Sequence, residues 1–164
     1  MPMPERALTE VYVQPGESCM MTEPAILRTV LGSCVGIAFL IPRLGIGALC
    51  HPMLPRYPAT PPVDASIAAG RRYVDFAIRD LARQFERLGA RPADVRVKLF
   101  GGGDVLPTTN ASSRATVGKL NAETALDVLN ECGYPIVASS LGGTSGVNIQ
   151  FNTETGEVLL RRLG

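Results

Sequence analysis

The segment Cys34–Ile41, CVGIAFLI, constrains this chain more than any other. It is nearly all apolar, too short for a typical helix and rich in residues that favour extended backbone, so it reads as a buried strand. Pro42-Arg43-Leu44-Gly45 makes a turn. Leu44–His51, LGIGALCH, then returns as the second arm of a hairpin and ends on the chain's single histidine. Gly36, Gly45 and Gly47, in or beside the arms, mark close backbone approach or bulges.

The other elements follow from the same patterns. Glu10–Gln14 alternates polar and apolar as a half-buried strand does, and Ala25–Leu31 reads as another strand, broken at Gly32. Met53–Val63 holds four prolines and cannot be regular structure. Asp64 or Ser66 caps a helix running to about Leu88, with Ile67, Val74, Ile78, Leu81, Phe85 and Leu88 on one face and Gly89 as its stop. Val95–Phe100 is a strand leading into Gly101-Gly102-Gly103-Asp104, and a polar loop, Pro107–Arg114, follows. Asn121 is the expected N-cap of a second helix, Ala122–Cys132, closed by Gly133. Pro135–Ser139, Val147–Phe151 and Val158–Arg162 complete the strands. The expected architecture is α+β: one layered domain over residues 1–164, mostly antiparallel sheet with two helices packed on one side.

Composition excludes several function classes. The chain has 164 residues, 16 basic and 15 acidic, for a net charge of +1, which argues against an electrostatically driven nucleic-acid binder. At 46% hydrophobic it has ample material to fold. One histidine excludes a His-rich metal site, and Cys19, Cys34, Cys50 and Cys132 include no CxxC pair, so no metal or other cofactor is expected. No apolar run approaches the roughly 20 residues of a membrane span, and the N-terminus has no secretory pattern, so a cytoplasmic protein with reduced thiols is expected. The Gly101–Asp104 stretch lacks the Gly-Lys-Ser/Thr ending of a phosphate loop and reads as tight backbone.

The chemistry concentrates between Thr29 and Pro55. Cys34 follows a Gly-Ser turn at the start of one hairpin arm, and His51 ends the other. Antiparallel pairing folds these ends together, as a Cys–His nucleophilic pair requires, because an ordinary thiol is mostly protonated at neutral pH. Gly32 and Ser33 leave backbone N–H groups near the sulfur as candidate oxyanion donors. The same residues have a plainer reading: a cysteine in an apolar strand is commonly a small buried hydrophobe, and a histidine at a strand end is commonly structural.

Leu31-Gly32-Ser33-Cys34-Val35-Gly36 followed by His51-Pro52-Met53-Leu54-Pro55 resembles the signature of the CheD family of chemoreceptor glutamine deamidases. Phe100–Gly103, Val117-Gly118-Lys119-Leu120-Asn121, Gly142-Gly143 and Asn152–Gly156 extend the likeness through most of the chain. The resemblance implies an α/β/β fold and a Cys–His amidohydrolase that converts glutamines on the cytoplasmic helices of chemoreceptors to glutamates. It makes Cys34 the nucleophile and His51 the base, and maps an orienting threonine onto Thr29, whose plainer role is that of a β-branched strand residue. It also implies a possible second partner, a CheC-type phosphatase, and an alternative reading as a regulatory binding protein; a cysteine peptidase of the same chemistry is a third. One departure stands out. The arginine that usually follows the family's Gly-Gly loop is absent, Val147 standing in that region, and Ser140-Leu141 replaces the usual acidic residue.

Overall fold

A computed structural model describes residues 7–60, 65–105 and 116–164. Its strands are β1 (Thr9–Tyr12), β2 (Ser18–Met21), β3 (Ala25–Leu31), β4 (Val35–Ile41), β5 (Ile46–Cys50), β6 (Arg96–Gly101), β7 (Ile136–Leu141), β8 (Val147–Asn152) and β9 (Val158–Arg162). Its α-helices are α1 (Ile67–Gly70), α2 (Val74–Arg87) and α3 (Val117–Cys132). The strands form two sheets, ordered β1-β3-β8-β9 and β2-β5-β4-β6-β7. Pairing is antiparallel except for β1 with β3 and β6 with β7.

The apolar run explains the layering. Both faces of β4 are covered, so it needs no polar alternation. Val35, Ile37, Phe39 and Ile41 point into a core shared with Val74, Ile78 and Phe85 of α2 and Leu129 of α3. Ala38 joins Leu49 of β5 in a second core with Leu27 and Leu31 of β3 and Ile149 and Phe151 of β8. Helices, five-stranded sheet and four-stranded sheet therefore stack as three layers, and the fold is α+β. The sequence pattern gave the helices one side but did not separate the two sheets.

Three local expectations change. The short, half-buried β2 escapes the pattern and pairs with β5. The single helix expected up to Leu88 is interrupted between Gly70 and Val74. There the chain following His51 supplies competing partners: the N–H groups of Met53 and Leu54 both donate to the Arg72 carbonyl, and Val74 N–H donates to the Leu54 carbonyl. Ser66, one of the two caps expected, caps α1 through a bond from Ala69 N–H; Asp64 and the Pro107–Arg114 loop lie outside the described residues. Finally, α3 begins at Val117 with Thr116 as its cap, and Asn121 is a fully buried interior residue of that helix.

Candidate active site

The hairpin register sets the geometry. Ile37 pairs with Cys50, and Val35 N–H donates to the Pro52 carbonyl at 3.4 Å, so pairing continues past the end of β5. Gly36 therefore stands opposite His51. Cys34 lies two residues farther out on the same pleat face, diagonal to His51, and packs against the core between the sheets. Thr29 alternates with Leu27 and Leu31 on β3 and faces that same core from the other sheet. Cys50 faces the opposite way, into the helix-covered core, where complete burial pushes its thiol far above the ordinary value.

Thr29 and His51 are joined directly. Thr29 Oγ1 lies 2.7 Å from His51 Nδ1 and also 2.7 Å from the Val13 carbonyl oxygen. A carbonyl only accepts, so the single hydroxyl proton goes to Val13. Thr29 Oγ1 must then accept from Nδ1–H, which leaves the lone pair on Nε2. That nitrogen is buried and has no hydrogen-bond partner among the described residues, Cys34 included. His51 is also held by its backbone, its N–H donating to the Glu17 carbonyl and its carbonyl accepting from Gly16 N–H. Burial lowers its proton affinity below that of an ordinary histidine, against smaller raising effects from the Val13 carbonyl and the Glu17 carboxylate.

Cys34 sits in a turn held by its carbonyls. The Gly32 carbonyl accepts from Gly103 N–H at 2.9 Å and the Cys34 carbonyl from Gly102 N–H at 2.8 Å. The Ser33 carbonyl accepts from Asn121 Nδ2 at 3.0 Å, and the same Nδ2 donates to the Met53 carbonyl at 2.9 Å. The N–H groups of Ser33 and Cys34 donate to no acceptor among the described residues. Burial raises the Cys34 thiol, and its own backbone amide partly offsets this. The glycine segment thus braces the turn. A Cβ at Gly101 would strike the Cys34 carbonyl, and one at Gly118 of α3 would strike the Gly103 carbonyl.

A small cavity of about 60 Å³ adjoins the turn, lined by Leu31, Gly32, Ser140, Gly142, Gly143 and Arg162 among others. Val147, where the resemblance led us to expect an arginine, pairs with Arg162 on β9. That guanidinium comes within 3.6 Å of where a Gly143 Cβ would stand, so a cation reaches the Gly-Gly loop from the neighbouring strand. No group of three or more His, Cys, Asp or Glu side chains suited to a metal ion occurs among the described residues.

A family model described as CheD chemotactic sensory transduction matches residues 53–162. A probable chemoreceptor glutamine deamidase CheD 2 of Geobacter sulfurreducens is 40% identical over 95% of this chain and 91% of its own. The chain belongs to the CheD family. A second CheD relative, the probable chemoreceptor glutamine deamidase CheD of Maridesulfovibrio salexigens, is 34% identical over 99% of this chain and 97% of its own. Both CheD alignments necessarily include Cys34 and His51, which the family-model match, beginning at Met53, does not reach. Among solved structures, the Bacillus licheniformis hypothetical protein YfiH superposes with a TM-score of 0.49 at 16% identity; the match covers 75% of this chain and 49% of that one, so this chain spans about half its length.

Asn121 is the site residue that sequence reasoning missed. Its cap-like composition concealed an interior position, and only its place in the likeness to the CheD Ile-Gly-x-x-Asn pattern marked it at all.

Proposed function

We propose that this protein is a chemoreceptor glutamine deamidase acting through Cys34 and His51, with Thr29 orienting the histidine. One observation carries the reading: Thr29 fixes the His51 tautomer so that Nε2 is the proton acceptor, and the hairpin register sets Cys34 on the same pleat face, diagonal to His51. The raised thiol and lowered imidazole both keep the resting proton on sulfur. The pair therefore works by general-base catalysis rather than as a preformed thiolate–imidazolium pair.

In the first half-reaction, Nε2 takes the Cys34 proton as Sγ attacks the amide carbon of a receptor glutamine. The negative charge that develops on the amide oxygen is met by the free Cys34 N–H, with Ser33 N–H beside it. The imidazolium then gives its proton to the departing nitrogen, ammonia leaves, and a thioester remains. In the second, Nε2 takes a proton from water as the oxygen attacks the thioester. The C–S bond breaks, the proton returns to sulfur, and glutamate is the product.

The substrate is a glutamine of a chemoreceptor, as the names of the CheD relatives have it for those proteins; its place on cytoplasmic helices, and the protein's own in the cytoplasm, follow from the sequence resemblance. Among the described residues no helix is long and apolar enough to cross a membrane. The test is ammonia release from a receptor cytoplasmic fragment, with mass spectrometry of the product. Wild type should release ammonia and add about one dalton per site without chain cleavage, while Cys34→Ala and His51→Ala, still folded, should release none. Release that persists in Cys34→Ala defeats the reading. Binding of the fragment, or of a CheC-type phosphatase, without any release by wild type makes the chain a regulatory partner instead.

A further inference from the structure

Every carbonyl of the nucleophile turn has a donor, and just one of those donors is a side chain. Gly102 and Gly103 hold the Cys34 and Gly32 carbonyls through backbone N–H groups. Asn121 alone, fully buried in α3, holds the Ser33 carbonyl. Its other bond reaches Met53, two residues beyond His51. Both N–H groups of the carboxamide are therefore committed to the two segments that bear the proposed nucleophile and base. The price is a buried Oδ1 with no partner among the described residues, an arrangement that an apolar residue at this helix position would avoid.

The peptide geometry gives that grip a consequence. The peptide bonds are all trans among the described residues, so the Ser33 C=O and the Cys34 N–H, which share a peptide unit, point in opposite directions. Fixing the carbonyl toward α3 fixes the N–H away from it, where it donates to no other group. We propose that Asn121 is a positioning residue for the deamidation, aiming the Cys34 N–H at the oxygen of the reacting amide and tying that donor to the segment that follows His51. The assignment rests on Cys34 being the nucleophile. Asn121 does not touch the substrate; it acts through the peptide that does.

The test separates amide hydrolysis from simple thiol reactivity. Alkylation of Cys34 by iodoacetamide forms an S–C bond with loss of iodide and builds no oxyanion, whereas deamidation must build one. In Asn121→Ala and in the near-isosteric Asn121→Asp, kcat for ammonia release from the receptor fragment should fall about 10- to 100-fold, with KM within about threefold. The alkylation rate and its pH midpoint should stay close to wild type. An unchanged kcat overturns the proposal, as does a kcat that falls only in step with alkylation, the mark of a site that has merely loosened. Should both variants fail to fold, the wild-type protein answers: a peptide carrying an aldehyde in place of the target carboxamide forms a thiohemiacetal with Cys34, and the ¹⁵N-labelled Cys34 amide proton should shift downfield. An unmoved Cys34 amide in a protein that still releases ammonia overturns the Asn121 assignment alone. Wild type releasing no ammonia defeats the deamidase reading and this inference with it.

Discussion

At the scale of single residues, one hydroxyl decides which imidazole nitrogen of His51 carries the lone pair. Thr29→Val keeps the shape and removes the acceptor for Nδ1–H, so the tautomer is no longer fixed. We expect kcat to fall about 10- to 100-fold with the fold retained, read by ammonia release beside a thermal melt. The pH profile follows from burial. The neutral imidazole persists below the ordinary histidine value of about 6.5, so the acid limb of kcat/KM should fall below that value rather than at it. The stability consequence has a definite sign. Between the folded and unfolded values the unfolded chain binds the extra proton, so His51 costs stability as pH drops through about 6.5, and urea midpoints of wild type should decline more steeply toward about pH 5 than those of His51→Gln. Cys34 and His51 stood out in the sequence because the histidine is unique and because a Gly-Ser turn precedes the cysteine. Thr29 was marked only by the family resemblance, because its bond to His51 is set by the Val13 carbonyl, which the pairing of β1 with β3 brings near.

At the scale of elements, the glycine segment between β6 and α3 acts as a shim. Gly118→Ala drives a methyl against the Gly102 and Gly103 carbonyls, whose backbone holds the Cys34 turn. It should cost about 1–3 kcal/mol in urea unfolding and lower kcat as well. Gly45→Ala makes the contrast: at φ 65° with open space around it, it should cost about 1–2 kcal/mol of backbone strain and leave kcat unchanged. The strands were legible where apolar periodicity was strong, as in β3, β4 and β8. The helix break was not, because α1 and α2 share one apolar periodicity and the interruption comes from hydrogen bonds to Met53 and Leu54, distant in sequence. Asn121 illustrates the same limit. Its residue type favours a cap, but the actual cap is Thr116, whose hydroxyl accepts from Lys119 N–H.

At the scale of the whole molecule, the helix-covered core and the core between the sheets divide the labour. Phe39 packs 5.4 Å from Phe85 and 6.0 Å from Tyr134, ring centre to ring centre, on the side of β4 turned away from Thr29. Phe39→Ala should destabilise by about 3–5 kcal/mol in urea unfolding while the folded fraction keeps near-normal kcat. The layered α+β class was legible because β4 is apolar at every position. Two sheets in place of one were not, because sequence periodicity marks which face of a strand is buried without naming the layer that covers it. The strand order β1-β3-β8-β9 carries a temporal meaning. During synthesis from the N-terminus, Thr29, Cys34 and His51 leave the ribosome long before β8 and β9, which supply half the strands of the sheet that bears Thr29. Until residues 147–162 arrive, β3 has only β1 beside it and the core between the sheets lacks Val147, Ile149 and Phe151. The nascent chain carries Cys34 for most of its synthesis and completes the sheet that bears Thr29 only when the last hairpin closes.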